Sequence, residues 1–136
     1  MILASKNIAV LISGGGTNLQ AIIDNTENNY INGKIKIVIS NKEDAYGLVR
    51  AEKAGIPGFF IKDDEELISK LREYNIDLII LAGYLKILPE KITKIYENKI
   101  INIHPSLIPS FCGRGYYGLK VHEAVIKRGV KYTGAT

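Results

Sequence analysis

Two short stretches of this chain carry residue types whose spacing could do chemistry. The first is Ser13-Gly14-Gly15-Gly16-Thr17-Asn18, directly after the apolar run Ile8-Ala9-Val10-Leu11-Ile12. Consecutive glycines let a backbone take positive φ and come close to an anion. A helix opening at the end of such a turn adds unpaired N–H groups and the positive end of its dipole, which suits a phosphate. Thr17 and Gln20 also fit the T-x-x-Q capping box, so helix capping accounts for part of the motif. No Gly-Lys-Ser/Thr closes the loop, and the triphosphate-binding pattern fails. The dinucleotide pattern begins at Gly14 but meets Leu19 where its last glycine belongs. Ser40-Asn41-Lys42, at the end of the next apolar run, offers no carboxylate for a ribose hydroxyl. A phosphate monoester site and a tight turn that binds nothing both remain open.

The second stretch is Asn102-Ile103-His104-Pro105-Ser106. In a strand, Asn102 and His104 point to one face and Ile103 to the other. Pro105 biases His104 toward extended backbone, which keeps that alternation. A neutral amide donor beside an imidazole suits acyl transfer: Asn102 can donate to a developing oxyanion, and His104 can donate or move a proton. The competing reading is a strand-end pair that satisfies loop backbone groups. His122, beside Glu123 in a helical run, reads as a surface residue and completes no metal site with Cys112. The loop 109–118 carries Gly113, Gly115, Gly118, Tyr116 and Tyr117, a composition that suits a lid.

These stretches need a scaffold that presents them on one edge. Apolar β-branched runs alternate with helix-period segments, which predicts an α/β fold with a parallel sheet. Strands are expected at 8–12, 35–39, 59–61, 78–81 and 100–103. The first and fourth are continuously apolar, as strands covered on both faces must be. Leu19, Ile22 and Ile23 share one helical face; Leu67, Leu71 and Tyr74 share another; Val121, Ala124 and Val125 share a third. Gly55 followed by Pro57 reads as a helix stop, and Pro89 as the first turn of a helix over 90–96. Ligands of such sheets sit at the carboxyl ends of the strands, which is where both stretches fall.

The 136 residues suit one domain, with 46% hydrophobic and 24% charged content near globular averages. The net charge of +4 is modest and scattered, which argues against nucleic acid and allows a mild preference for anionic small molecules. No apolar run has the length of a membrane span. The single cysteine, Cys112, excludes an internal disulfide and fits a reducing, cytoplasmic setting.

In order and spacing, residues 13–20 (SGGGTNLQ), 40–42 (SNK), 81–88 (LAGYLKIL) and 102–109 (NIHPSLIP) resemble the phosphoribosylglycinamide formyltransferase family over essentially the whole chain. The resemblance implies a Rossmann-like, mostly parallel sheet with helices on both faces, forming a single catalytic domain over 1–136. It implies transfer of a formyl group from 10-formyltetrahydrofolate, as co-substrate, to the amine of 5'-phosphoribosylglycinamide in purine biosynthesis, without a metal. Gly16, Thr17, Asn18 and Leu19 would then hold the substrate phosphate. Leu85, Lys86, Ile87 and Leu88, with Asn102, would line the folate pocket, and Asn102 and His104 would be the catalytic pair. Lys62 is the one candidate for the basic residue that reaches folate in this family.

Two sister enzymes fit less well. Methionyl-tRNA formyltransferase opens with a Gly-Thr-Pro-like turn, and formyltetrahydrofolate hydrolase carries a second histidine where Pro105 stands. The family's catalytic aspartate lies a few dozen residues beyond the histidine, so the 136 residues are expected to stop before it and by themselves to show negligible formyl transfer. That would leave an open sheet edge able to pair with a second copy as a homo-oligomer. A non-catalytic phosphate-binding module of the same fold is the rival from another functional class.

Overall fold

The computed structural model describes residues 4–136. Its elements run β1 (Lys6–Ile12), α1 (Thr17–Glu27), β2 (Gly33–Ser40), α2 (Tyr46–Lys53), β3 (Gly58–Phe60), α3 (Asp64–Glu73), β4 (Leu78–Leu81), α4 (Glu90–Ile95), β5 (Ile100–Asn102) and α5 (Leu119–Arg128). The five strands form one parallel sheet in the order β3-β2-β1-β4-β5. By their contacts the residues fall into two compact units, one reaching Ile101 and the other running from Asn102 to Thr136.

In the first unit, β1 is the central strand and pairs in parallel with β2 and β4. Because side chains alternate along a strand, Ile8, Val10 and Ile12 join Leu19, Ile22 and Ile23 of α1 and Ala51 of α2 in one apolar cluster. Ala9 and Leu11 turn the other way and pack with Leu67, Ile68 and Leu71 of α3 and Ile92 of α4. Helices therefore cover both faces, and the unbroken apolar run of β1 follows from that double burial. Each fully buried Leu or Ile contributes roughly 1.5–3 kcal/mol, so this strand anchors the loop that follows it.

The element boundaries depart from the sequence expectation in instructive places. β2 begins at Gly33 and its register with β1 shifts between Ile8 and Ala9, a bulge that alternation alone does not signal. β3 spans 58–60 instead of 59–61, and β5 ends at Asn102 instead of residue 103. Gly55 follows α2 with φ +68, as the helix stop requires. Pro89 is the N-cap of α4, extended at φ −66 and ψ 148, and not part of its first turn.

The capping box at Thr17 is also absent. Gly16 is the N-cap of α1 in the left-handed region, at φ 75 and ψ 30, and no side chain caps the helix. Thr17 is already helical there and cannot act as its cap. By contrast, Asp63 is extended and its side chain accepts Glu66 N–H at 2.9 Å, capping α3. No helix among the described residues is long and apolar enough to cross a membrane.

Candidate active site

The carboxyl ends of β1, β2 and β4 are tied together by one buried hydroxyl. Ser13, only 3% exposed, donates from Oγ to Asn41 Oδ1 and accepts the Leu85 N–H at 2.8 Å. Asn41 and Leu85 belong to the SNK and LAGYLKIL segments, which are far apart in sequence. At the end of β2, the buried Ser40 hydroxyl donates to the Lys42 carbonyl and accepts the Lys42 N–H, which fixes that turn. The start of the glycine turn and the SNK and LAGYLKIL segments therefore share a hydrogen-bonded base.

Above this base lies the glycine turn. Gly16 has positive φ, and a Cβ there would stand 2.7 Å from Gly47 Cα. Gly47 is crowded in turn: a Cβ there would stand 2.3 Å from Ile12 Cδ1 and 3.3 Å from the Gly14 carbonyl oxygen. Gly16 is thus required by conformation and by close approach of α2. At Gly14 and Gly15, an added Cβ would meet nothing within 4 Å. The fold does not need glycine at those two exposed positions, and a ligand approaching the backbone would. The backbone N–H groups of Gly15, Gly16, Thr17 and Asn18 have no partner among the described residues. They are unpaired donors at the positive end of an eleven-residue helix.

The segment after β4 offers a different surface. Leu85 and Ile87 leave their side chains exposed, Ile87 almost fully at 91%. Such apolar groups beside polar backbone can receive a flat aromatic ligand. Lys86 is engaged elsewhere: its ammonium donates to the Lys62 carbonyl at 2.7 Å and pairs with Asp64. Lys62 takes part here through its carbonyl, while its own ammonium lies 5.3 Å from the Phe60 ring centre. Burial, with the nearby Asp64 charge adding to it, raises the Tyr84 phenol above its ordinary pKa and keeps it neutral.

In the second unit, His104 is fixed by its immediate neighbours. Its N–H donates to the Thr136 carbonyl at 2.7 Å, and its carbonyl accepts the Thr136 N–H at 2.9 Å. Thr136 Oγ1 also donates to the Ser106 carbonyl and accepts the Ile108 N–H. The imidazole Nε2 lies 2.9 Å from the Phe111 carbonyl. A carbonyl only accepts, so Nε2 carries the proton and Nδ1 is left for other chemistry. Phe111 presents that carbonyl from the left-handed region, φ 51, which is strained for a non-glycine residue. The fully buried Ser106 hydroxyl, donating to the Ser110 carbonyl, holds the turn together. Asn102 is exposed, and its side chain has no partner among the described residues. His122 is an exposed residue of α5, and Cys112 Sγ contacts the Pro109 carbonyl at 3.2 Å.

The sequence assigns no role to Ser13 or Phe111, nor to Arg50, whose Nε donates to the Gly15 carbonyl at 2.7 Å. Each acts on or through backbone groups that the fold brings near, and no local pattern announces such contacts. Ser13 could have been flagged only as a polar residue between an apolar strand and a glycine turn, and Arg50, inside α2, carried no such signal.

Residues 6–136 match the family model described as formyl transferase. The chain belongs to the formyl transferase family. Among the family's curated members, it is 47% identical to phosphoribosylglycinamide formyltransferase of Haemophilus influenzae, over 96% of this chain and 64% of that protein. It is 38% identical to the chloroplastic phosphoribosylglycinamide formyltransferase of Arabidopsis thaliana, over 96% of this chain and 48% of that one. Of solved formyl transferase structures, glycinamide ribonucleotide transformylase 1 from Symbiobacterium toebii superposes with a TM-score of 0.88 at 39% identity. That match covers 98% of this chain and 65% of the other. The chain thus spans about half to two-thirds of the length of these relatives.

Proposed function

We propose that the protein transfers the formyl group of 10-formyltetrahydrofolate to the amine of 5'-phosphoribosylglycinamide, a step of purine synthesis. The observation that carries this reading is the glycine turn: a row of unpaired N–H donors at a helix start, on a chain 47% identical to an enzyme of that name. The backbone of Gly16, Thr17, Asn18 and Leu19 would bind the substrate phosphate. Leu85, Ile87 and Leu88, with the Lys86 backbone, would flank the folate, and Lys62 would lie at its rim.

The chemistry assigned to the second unit follows from its donors. The substrate amine attacks the formyl carbon, forming a C–N bond and a tetrahedral oxyanion. The exposed Asn102 amide donates to that oxyanion, and the His104 imidazole moves the proton released by the attacking amine. Collapse breaks the bond to the folate nitrogen, which takes up a proton and leaves as tetrahydrofolate. His104 would enter with Nδ1 available, its Nε2 proton being held by the Phe111 carbonyl. The glycine- and tyrosine-bearing loop at 109–118 would serve as the lid, and a cytoplasmic setting belongs to the same proposal.

The test is incubation of the protein, extended to the length of its relatives, with both substrates, followed by mass spectrometry of the amine. A product heavier by one formyl group, formed in step with tetrahydrofolate, is the expected result. An unmodified amine bound at the expected site would favour a non-catalytic binding module.

A further inference from the structure

The three carbonyls of the glycine turn are each held by a donor of the protein. Gly14 O accepts the Gly47 N–H at 3.0 Å, and Gly16 O accepts the Gln20 N–H at 2.9 Å. Between them, Gly15 O accepts from Arg50 Nε at 2.7 Å. Arg50 also donates from Nη1 to Gln20 Oε1 at 3.3 Å, and its guanidinium carbon lies 5.2 Å from the Tyr46 ring centre. A trans peptide sets its carbonyl and the following N–H on opposite sides. Fixing the Gly14, Gly15 and Gly16 carbonyls therefore turns the N–H groups of Gly15, Gly16 and Thr17 away from the donors that hold them. None of these N–H groups has a partner among the described residues.

We propose that Arg50 is a positioning residue for anion recognition, which aims the Gly16 N–H by holding the Gly15 carbonyl. Glycine loses more conformational freedom on ordering than any other residue. A triglycine left untethered would have to give up that freedom each time a ligand bound. Of the three tethers, only Arg50 is a side chain, so only it can be removed without altering the backbone. Its planar fork reaches the carbonyl and Gln20 with separate nitrogens while its face rests on Tyr46. A lysine has one point charge and cannot do all three. The ligand class is a phosphate monoester, and the inference rests on the proposed phosphorylated amine substrate.

Calorimetric titration tests it with three ligands: 5'-phosphoribosylglycinamide, the same amine without its phosphate, and 10-formyltetrahydrofolate. The proteins are the wild type, Arg50→Met and Arg50→Lys, each with its melting temperature measured. Arg50→Met is expected to weaken the phosphorylated amine about tenfold, leaving the other two ligands unchanged. Arg50→Lys is expected to recover only part of that loss. Full recovery with lysine would show that charge alone matters and overturn the positioning role. Equal losses for all three ligands with a lower melting temperature would also overturn it, as a general folding effect. If the wild type prefers the phosphorylated amine and both variants keep that preference, this inference alone falls. If the wild type shows no such preference, the phosphate-site reading falls and takes this one with it.

Discussion

The turn at residues 13–19 and the loop at residues 103–118 are both rich in glycine, for different physical reasons. In the turn, Gly16 is fixed twice over, by φ 75 and by a neighbour 2.7 Å from where a Cβ would be. In the loop, Gly113, Gly115 and Gly118 have positive φ but open space around them. The turn's Gly16 is thus locked by packing against α2, whereas the glycines of the loop are required by backbone conformation alone. Chemistry divides along the same line. The turn offers backbone N–H groups whose aim is set by the fold, and the loop offers a side chain, His104, aimed by one carbonyl seven residues away. Preorganised donors suit a group that does not change during reaction, such as a phosphate. A titratable side chain suits the atoms that do.

The largest effect that can break this division is His104→Ala. In the active enzyme turnover is expected to fall roughly 10²–10⁴-fold, the range for a positioned proton-transfer group. Affinity for both substrates should change little, because the group acts mainly in the transition state. Steady-state kinetics with separate binding constants would check it, and near-normal turnover would return His104 to a structural role.

Gly16→Val sharpens the packing half of the contrast. It places a β-branched residue at positive φ and drives a Cβ into α2, so the expected loss is on the order of 2–5 kcal/mol of folding stability. Because the turn itself would be displaced, that variant cannot serve as a clean probe of phosphate binding. Gly113→Ala, strained in φ alone, should cost only about 1–2 kcal/mol. Denaturant melts of the two variants, compared with the wild type, read the difference directly. Similar losses would mean that the turn is not locked by packing.

Ser13→Ala addresses what joins the carboxyl-edge segments of the first unit. It strands the Leu85 N–H and the Asn41 side chain in a partly buried place, at an expected cost of about 1 kcal/mol in stability. Folate affinity should fall with it, since the 85–88 backbone loses its tie. Thermal melts with folate titration would show both changes, and unchanged folate binding would separate Ser13 from that segment.

The smallest expected effect is the most selective. Gly15→Ala adds a methyl group into open space at a position without positive φ. Stability should stay within about 0.5 kcal/mol of wild type. Affinity for the phosphorylated amine should drop about tenfold, near 1.4 kcal/mol, if the methyl group crowds an anion drawn to the neighbouring N–H groups. Calorimetry finding unchanged affinity would place the phosphate elsewhere.

Much of the fold was readable because apolar periodicity and burial are local signals. The β1 run Ile8 to Ile12, the α1 face of Leu19, Ile22 and Ile23, and the stop at Gly55 all stand where alternation and helix period put them. The expected division of the sheet between two helical layers followed from the same pattern. What the sequence hid is long-range. Nothing near Gly14, Gly15 and Gly16 distinguishes the glycine that packing demands from the two it leaves free, since the distinction is made by Gly47 on another element. The cap of α1 was misread for a related reason, because a left-handed Gly16 took the place that the Thr17 pattern advertised. Arg50 and Phe111 act on or through backbone carbonyls, and side chain–carbonyl contacts across such separations leave no periodic trace.

In the proposed function, a formyl transferase core presents a backbone phosphate site to one particular kind of amine. The most direct measurement follows formyl transfer from 10-formyltetrahydrofolate under matched conditions to 5'-phosphoribosylglycinamide, to the same amine without its phosphate, and to water. The predicted result is transfer to the phosphorylated amine with kcat/KM at least about a hundredfold above the dephosphorylated one, the equivalent of about 2.7 kcal/mol of transition-state binding. Release of formate at the same rate whether or not the amine is present, or equal rates for the two amines, would contradict it.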